Sequence, residues 1–214
     1  MNDNFYKDGY YLTLENAKAL LLTAERAAEF QSFGIACSLN ILAAEECLKA
    51  FFLMVKHKNQ KGVIKNFKKV FESHRIKHSE LKSLIVFQDK VIEQTLQFLE
   101  YLKPHMDNFT MMAKSFDGKA LEILNSLHED YTWFQNASQR KLNLEGILLW
   151  LDTANDDKNN GLYVGQIGNT WHSPKSFTRE KFVHEKKFTE TIYEHVKWLD
   201  EFYKKVEESE KTFR

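Results

Sequence analysis

The sequence predicts an all-α protein, folded as a bundle of about five or more helices. Only 8 glycines and 2 prolines occur in 214 residues, too few for the many turns of a sandwich or barrel. Apolar residues recur at helical spacing in several long segments, and 17 phenylalanines supply bulk for a core. No internal repeat or long linker divides the chain, so we expect a single helical domain over residues 1–214.

The first two helices follow from apolar periodicity near the N-terminus. We predict the first helix from Leu14 to Phe30, with Thr13 as its N-cap. Gly34 is expected to break the chain before a second helix from Ile35 to His57. Because apolar residues cover more than one side of this second helix, we predict that it is the central helix of the bundle.

Later elements are predicted from breakers and turn composition. A third helix is expected to start near residue 81 and end near Pro104, and further helical pattern continues to about residue 154. The segment "NDDKNNG" has the strongest turn composition in the chain. "LYVGQIGNTWHSP" follows, and its glycines and proline predict a short irregular or hairpin insertion near residues 160–175. The last helix should begin at about Thr178.

Three charged residues lie in the middle of the apolar second helix. Glu45 precedes Lys49 by four residues, the favourable order for a helical ion pair. Glu46 shares a stripe with core leucines, so its carboxylate needs a partner from another helix, a ligand or a local opening to water. The charges are therefore either structural, as a solvated notch or an ion pair that fixes helix register, or part of a functional site.

A second polar cluster, "ESHRIKHSEL", favours the functional interpretation. If this segment is helical, His74, Lys77 and His78 lie on one face. Two imidazoles and an ammonium group there can meet carboxylates of the second helix and shift their proton affinities, as in sites for proton transfer or anion binding. We predict a polar site from the two clusters. Its members are Glu45, Glu46, Lys49, His74 and Lys77.

Other site classes receive weaker support. Neither H-E-x-x-H nor C-x-x-C spacing occurs, and there is no phosphate-binding or dinucleotide-binding glycine pattern, so we expect no metal and no cofactor. Tyr163 and Trp171 either stack on bases or pin the glycine-rich loop against the bundle. The lysine-rich stretch that includes Lys58 and Lys61 is either a local phosphate-binding patch or only solubilising.

The charge and the cysteine content limit which partners and which cellular compartment we expect. Equal numbers of basic and acidic residues, 30 each, exclude a global basic field, so a nucleic acid has to be met by a local patch. Cys37 and Cys47 on one helix would be separated by about 15 Å of rise, too far for a disulfide, and reduced thiols suit the cytoplasm. Each charge in the second helix would cost roughly 2.5 to 3.5 kcal/mol in a bilayer. We therefore expect a cytoplasmic protein with no membrane partner.

Three segments of the chain resemble the AbiV family of abortive-infection proteins, phage-defence proteins placed among HEPN-like helical bundles. They are "ACSLNILAAEECLKAFFL", "FESHRIKHSEL" and "NNGLYVGQIGNTWHSP". The resemblance lies in E-E-x-x-K, then H-x-x-K, then a late G-L-Y-V ahead of a tryptophan and Ser-Pro. Order and approximate spacing agree from about residue 14 to residue 182, which implies a HEPN-like bundle. The matching positions are Glu45, Glu46, Lys49, His74, Lys77, Gly161, Leu162, Tyr163, Val164, Trp171, Ser173 and Pro174.

The resemblance implies an effector that halts growth or protein synthesis in an infected cell. HEPN-like relatives commonly act as metal-independent ribonucleases, often as dimers with the site across the interface, through Arg followed by His four to six residues later. Arg179 and His184 in "REKFVH" match this pattern, although 8 histidines also allow a chance match. Such a histidine can take the proton of a ribose 2′-OH while the arginine stabilises the phosphate.

Three functional hypotheses remain from the sequence. In the first, the protein is a toxic effector that acts on RNA or on a ribosome-associated target and blocks translation. In the second, it is a non-catalytic dimeric helical module that inhibits its target by protein–protein contact after a phage-encoded protein triggers it. A helical nucleotide-binding domain without toxicity is a third, simpler alternative.

Overall fold

The computed structural model describes residues 4–58 and 144–212, together with isolated helical positions between 82 and 132. The described helices are α1 (Asn4–Glu29), α2 (Phe33–His57), α3 (Leu144–Leu162) and α4 (Arg179–Thr212). Strands β1 (Gly165–Ile167) and β2 (Thr170–His172) and a 3₁₀ turn (Pro174–Ser176) lie between α3 and α4. The all-α prediction is confirmed.

The chain groups into two compact units, one of residues 1–82 and 145–214 and the other of residues 83–144. Nearly all described residues belong to the first unit. The prediction of a single domain is not tested by this grouping and stays a prediction. The expected third helix and the polar cluster of residues 72–81 fall largely or wholly outside the described residues.

Helix α1 starts at Asn4, well before the predicted start at Leu14. Thr13 is therefore not an N-cap. Its hydroxyl donates hydrogen bonds to the carbonyl oxygens of Gly9, at 2.7 Å, and Tyr10, at 3.0 Å, within the helix. A threonine that bonds to the preceding turn is tolerated inside a helix, so the predicted start and cap were wrong.

The break between α1 and α2 occurs at Gln31 rather than at Gly34. Gln31 adopts a left-handed backbone conformation with φ of 59°. Its amide donates to the Ala28 carbonyl at 2.9 Å, and the Ser32 amide donates to the Ala27 carbonyl at 2.9 Å. This pair of hydrogen bonds is the Schellman helix end, which usually carries glycine at the left-handed position.

Helix α2 is the central helix of the unit, as predicted. Helices α1 and α4 both pack against it. Small side chains, such as Ala17 and Ala24 of α1 and Ala36 of α2, are fully buried and let the helices approach closely. The two cysteines of α2 are buried and free.

Gly34 now lies in the first turn of α2, where it meets α3 and the 3₁₀ turn. A Cβ atom at Gly34 would lie 2.6 Å from the Pro174 carbonyl oxygen and 2.9 Å from the Gly161 carbonyl oxygen. A Cβ atom at Gly161 would overlap the Gly34 carbonyl in turn. Two glycines therefore allow backbone-to-backbone contact between α2 and α3.

The segment after α3 follows the prediction only in part. "NDDKNNG", predicted as a turn, forms the end of α3. The hairpin is confirmed, with antiparallel pairing of Gln166 to Trp171 and a positive φ of 59° at Gly168 in its turn. The last helix is also confirmed, and the Thr178 hydroxyl oxygen accepts the Lys181 amide at 3.3 Å as its N-cap.

Within the described part of the chain, the structure shows no helix that is long and apolar enough to span a bilayer.

Candidate functional site

A buried ion pair joins α2 to α3. The Lys158 ammonium nitrogen lies 2.8 Å from Glu45 Oε1, and the two side chains are only 6% and 3% exposed. The predicted Glu45–Lys49 pair does not form, because Lys49 instead bonds Glu46, three residues before it on the same helix. That second pair is half-buried at the edge of α2. The adjacent charges of the E-E-x-x-K segment thus occupy two different environments.

The Glu45–Lys158 pair is held in place by further backbone contacts. The Ser38 hydroxyl donates to the Lys158 carbonyl oxygen at 2.8 Å and to the Gly34 carbonyl oxygen at 3.0 Å. Loss of one partner of a buried pair leaves an uncompensated charge in the core. The pair is therefore a buried polar contact between α2 and α3.

Sequence reasoning missed Lys158 because its segment was assigned to a turn. The signal was present in the helical spacing, since the buried residues Ile147, Leu151, Ala154, Lys158 and Gly161 alternate steps of four and three. The composition of the segment favours a turn, but the Glu45–Lys158 ion pair stabilises the helical conformation instead.

A second buried carboxylate, Glu185, lies between α3 and α4. Its side chain is 2% exposed and accepts a hydrogen bond from the Trp150 indole N–H. The Lys181 ammonium nitrogen is 4.0 Å from Glu185 but only 2.8 Å from Asp157. Burial raises the pKa of Glu185 to about 7; the Trp150 hydrogen bond lowers that pKa, Asp157 raises it and Lys181 lowers it.

The polar contacts around Glu185 extend to α2. The Thr189 hydroxyl lies 3.1 Å from the carbonyl oxygens of both Asn40 and Glu185. The side-chain amide atoms of Asn40 are buried and make no hydrogen bond. A carboxyl group with a pKa near neutrality can exchange protons at physiological pH, but this one is enclosed by α3 and α4.

Arg179 and His184 both lie on the solvent-exposed surface of α4. The His184 ring packs edge-on against Phe188 at 4.7 Å, and Phe188 stacks on Trp150 at 5.8 Å between ring centroids. Phe188 therefore contacts both His184 and Trp150, the residue whose indole N–H donates to Glu185. Because the two residues are five apart, they point about 140° from each other on the helix.

Trp171 in the hairpin and Tyr163, just after α3, are the two aromatic residues that the sequence suggested for binding, and both are exposed. Trp171 is 71% exposed and Tyr163 is 66% exposed. This exposure excludes the alternative in which both rings pin the loop against the bundle. Lys58 is half-buried at the end of α2, whereas Lys61, His74 and Lys77 lie outside the described residues. The expected meeting of Glu46 with His74 therefore stays a prediction.

A comparison with protein families agrees with this arrangement. The HEPN-type family model described as AbiV matches residues 5–194, nearly the whole chain. The chain belongs to the AbiV family. No curated protein and no solved structure matches it. Membership points to abortive infection, that is, to defence against phage, and confirms the resemblance found in the motifs.

Family membership gives a context to the residues that the structure brings together. In this AbiV-family chain, Gly161 of the G-L-Y-V motif is the glycine that contacts Gly34, and Glu45 of E-E-x-x-K is the partner of Lys158. Both motifs therefore meet at the α2–α3 contact. Among the described side chains there is no group of three or more histidines, cysteines or carboxylates suited to a metal ion.

Proposed function

We propose that this AbiV-family chain is an abortive-infection effector that arrests infected bacteria by cleaving RNA without a metal ion. Arg179 and His184 are the catalytic residues in this proposal. The observation that supports them is their exposure on α4, where a polynucleotide can reach both side chains. Glu45, by contrast, is enclosed in an ion pair with Lys158, and we assign it a structural role.

The partly exposed pair Glu46 and Lys49 keeps a secondary place in the proposal. Its side chains are 14% and 22% exposed, so a ligand can approach them from the surface of α2. His74 and Lys77 complete this secondary site if they approach the same surface. Substitution of Glu46 therefore belongs in the same test as substitution of His184.

The proposed reaction is transfer within the RNA strand. His184, as the general base, takes the proton of a ribose 2′-OH, and the 2′-oxygen attacks the adjacent phosphorus. The bond from phosphorus to the 5′-oxygen breaks and solvent water supplies a proton to the leaving oxygen, which gives a 2′,3′-cyclic phosphate and a 5′-hydroxyl, while the proton taken from the 2′-OH returns from His184 to solvent. Arg179 stabilises the negative charge on the phosphate oxygens in the transition state.

The geometry of α4 favours a site shared between two copies of the chain. Arg179 and His184 point about 140° apart, so one α4 helix does not direct both at the same phosphate. A two-fold dimer can bring Arg179 of one copy to His184 of the other, because such an interface is self-complementary. We therefore include a homodimer in the proposal.

The test combines infection with purified components. Wild type, Arg179→Ala, His184→Ala and Glu46→Ala are compared for growth arrest in phage-challenged cells and for cleavage of tRNA and ribosomal RNA. We expect His184→Ala to lower cleavage by about 10²- to 10⁴-fold, the usual contribution of a general base, and Arg179→Ala to lower it by about 10²- to 10³-fold, the usual loss for one group that stabilises transition-state charge. Lys187→Ala is the control, since Lys187 is an exposed cation on the same helix.

The second candidate function is inhibition of a target by binding, after activation by a phage-encoded protein. The exposed apolar side chains Val164 and Trp171 favour it, since clustered apolar exposure is typical of interaction surfaces. Full growth arrest by Arg179→Ala and His184→Ala, with no RNA cleavage by wild type, would support this candidate and exclude the nuclease.

A further inference from the structure

The hairpin and the residues that flank it form an exposed surface, which we call the hairpin platform and define as residues 161–179. Trp171 and Tyr163 present most of their ring surface to solvent, and Val164 is equally exposed. Trp171 lies opposite Gln166 on the paired strand, so the indole and an exposed amide share one face of the hairpin. The Gln166 amide nitrogen donates to the Gly168 carbonyl oxygen at 3.1 Å, which holds it near the hairpin turn.

The charge of the hairpin platform has one sign. Its sequence contains Lys175 and Arg179 and no aspartate or glutamate, in a chain whose formal net charge is zero. Neither cation pairs with an acid among the described residues, whereas Lys181, Lys186 and Lys204 of α4 each do. Arg179 interacts electrostatically with the adjacent Glu180, so Lys175 is the cation of the platform that is better placed to meet a polyanion.

Side chains of the protein already occupy backbone amides at the start of α4, which limits phosphate binding by those amides. The Thr178 hydroxyl caps the Lys181 amide, and the Glu180 carboxylate is hydrogen-bonded to its own backbone amide and to Thr178, which lowers the pKa of Glu180. The helix amides are therefore engaged by the protein itself. The cations of the side chains are left to meet phosphates.

We infer that the hairpin platform binds single-stranded RNA, with Trp171 stacking on a base and Lys175 contacting the adjacent backbone. A stacking ring needs an open face, and unpaired bases offer one while bases within a duplex do not. Trp171 and Lys175 are four residues apart, so their Cα atoms lie within about 14 Å, a span of a few nucleotides. The inference rests on the proposed function for its biological meaning, and it names single-stranded RNA as the class of substrate.

The test measures binding separately from cleavage. The probe is a labelled 2′-O-methyl oligouridylate of about 12 nucleotides, a length within known single-strand site sizes, which lacks the 2′-OH that cleavage needs. Fluorescence anisotropy gives the affinity of the full chain. We expect Trp171→Ala to weaken binding about 5- to 150-fold and Trp171→Phe to retain most of the affinity. A blunt duplex of the same sequence should bind more weakly than the single strand.

Matched controls separate stacking and charge from general surface effects. Phe30→Ala removes an aromatic ring that is 82% exposed at the end of α1, outside the hairpin platform, and should leave binding unchanged. Lys175→Ala should lower the slope of log affinity against log salt by about 0.7, the value for one phosphate contact on a single strand. Lys18→Ala, an exposed cation of α1, should leave that slope unchanged.

The outcomes distinguish this inference from the proposed function. If wild type and Trp171→Ala bind the oligouridylate with equal affinity, or if neither binds it, the inference that the hairpin platform binds RNA is overturned, even if growth arrest and cleavage persist. Trp171-dependent binding without cleavage or arrest supports the platform and contradicts the nuclease. Loss of arrest in Trp171→Ala without any binding of the probe means that the surface contacts a protein, which also overturns the inference.

Discussion

Two glutamates in the core of the first unit are stabilised in different ways. Glu45 has an ammonium partner 2.8 Å away, whereas Glu185 accepts from a neutral indole and lies 4.0 Å from a lysine that is closer to Asp157. A full ion pair compensates the loss of hydration better than a neutral donor does. Glu185 consequently has a raised pKa, and the two sites should respond differently to mutation and to pH.

Removal of Lys158 should destabilise the protein strongly. Lys158→Met removes the ammonium group that lies 2.8 Å from the buried Glu45 carboxylate, and we expect a loss of about 3–5 kcal/mol in the free energy of unfolding. Urea unfolding followed by circular dichroism measures this loss. The double variant Glu45→Gln with Lys158→Met should recover part of it, because a neutral amide at position 45 costs less to bury than a carboxylate that has lost its ammonium partner.

Lys49→Met is the matched control, since Lys49 belongs to the half-buried pair with Glu46. Because water still reaches this pair, we expect Lys49→Met to lower the free energy of unfolding by less than Lys158→Met does. Similar stabilities for wild type and Lys158→Met would contradict an architectural role for the Glu45–Lys158 pair.

Glu185 should make the protein less stable as the pH rises. Burial raises the pKa of its carboxyl group from near 4.5 to about 7, so between these values the folded chain holds a proton that the unfolded chain has lost. Linkage then predicts that this group's contribution is complete below about pH 4.5 and is lost by about pH 7. The loss is about 3 kcal/mol in the free energy of unfolding. Urea midpoints at pH 5 and pH 7.5 check the direction.

His195 changes the stability with pH in the opposite direction, so its effect has to be measured separately from that of Glu185. Burial lowers the pKa of His195 from 6.5 to about 4, so its contribution to stability is present above the unfolded value and is lost as the pH falls. Glu185→Gln retains His195 and should therefore remove only the decrease at higher pH. If wild type and Glu185→Gln show the same pH dependence of unfolding, Glu185 does not titrate in this range.

At the scale of elements, α3 shows what sequence could and could not predict. Spacing correctly predicted the central α2, the hairpin and the start of α4 because each follows from local periodicity or breakers. The predicted end of α3 was wrong because "NDDKNNG" is stabilised as a helix by ion pairs to other elements. Lys158 pairs with Glu45 of α2, and Asp157 pairs with Lys181 of α4. Those partners are distant in sequence, so composition alone did not indicate them.

The α1–α2 break illustrates a second limit of sequence reasoning. A left-handed residue is usually glycine, so Gly34 was the natural choice for the break. The structure uses Gln31 there and places Gly34 where α2 meets the backbone of α3 and the 3₁₀ turn. Gly34 is thus required for a close approach of α2 to α3 and the 3₁₀ turn, and such a contact between distant segments cannot be recognised from the local sequence.

The α2–α3 crossing should depend on the absence of a side chain at Gly161. Gly161→Ala places a Cβ atom against the Gly34 carbonyl group and the Ser38 hydroxyl, and backbone cannot rotate away as a flexible side chain can. We expect destabilisation of about 1–3 kcal/mol, as for overpacking in a core. Thermal and urea unfolding both measure it.

Gly165→Ala provides the control for Gly161→Ala. A Cβ atom at Gly165 meets no atom within 4 Å, and this glycine does not have a positive φ. Its unfolding free energy should stay within about 0.5 kcal/mol of wild type. If both alanine variants are equally stable, close approach of α2 and α3 at Gly161 is not required.

At the scale of the whole molecule, the segment from α3 to the first turns of α4 connects architecture with the proposed chemistry. Gly161 and Lys158 fix α3 on α2, the hairpin presents Trp171, and α4 then presents Arg179 and His184. The two candidate catalytic residues still point to different sides of one helix. A complete site therefore requires residues from two copies of the chain in this proposal.

Mixing two inactive variants tests this requirement directly. If Arg179 of one copy acts with His184 of its partner, a dimer of Arg179→Ala and His184→Ala chains contains one site in which both residues are intact. Random pairing of equal amounts places such sites at about a quarter of all positions, so the mixture should regain about a quarter of wild-type RNA cleavage although each variant alone is inactive. Light scattering checks that the variants still form dimers. A mixture that stays inactive while heterodimers form would mean that Arg179 and His184 do not act across the interface.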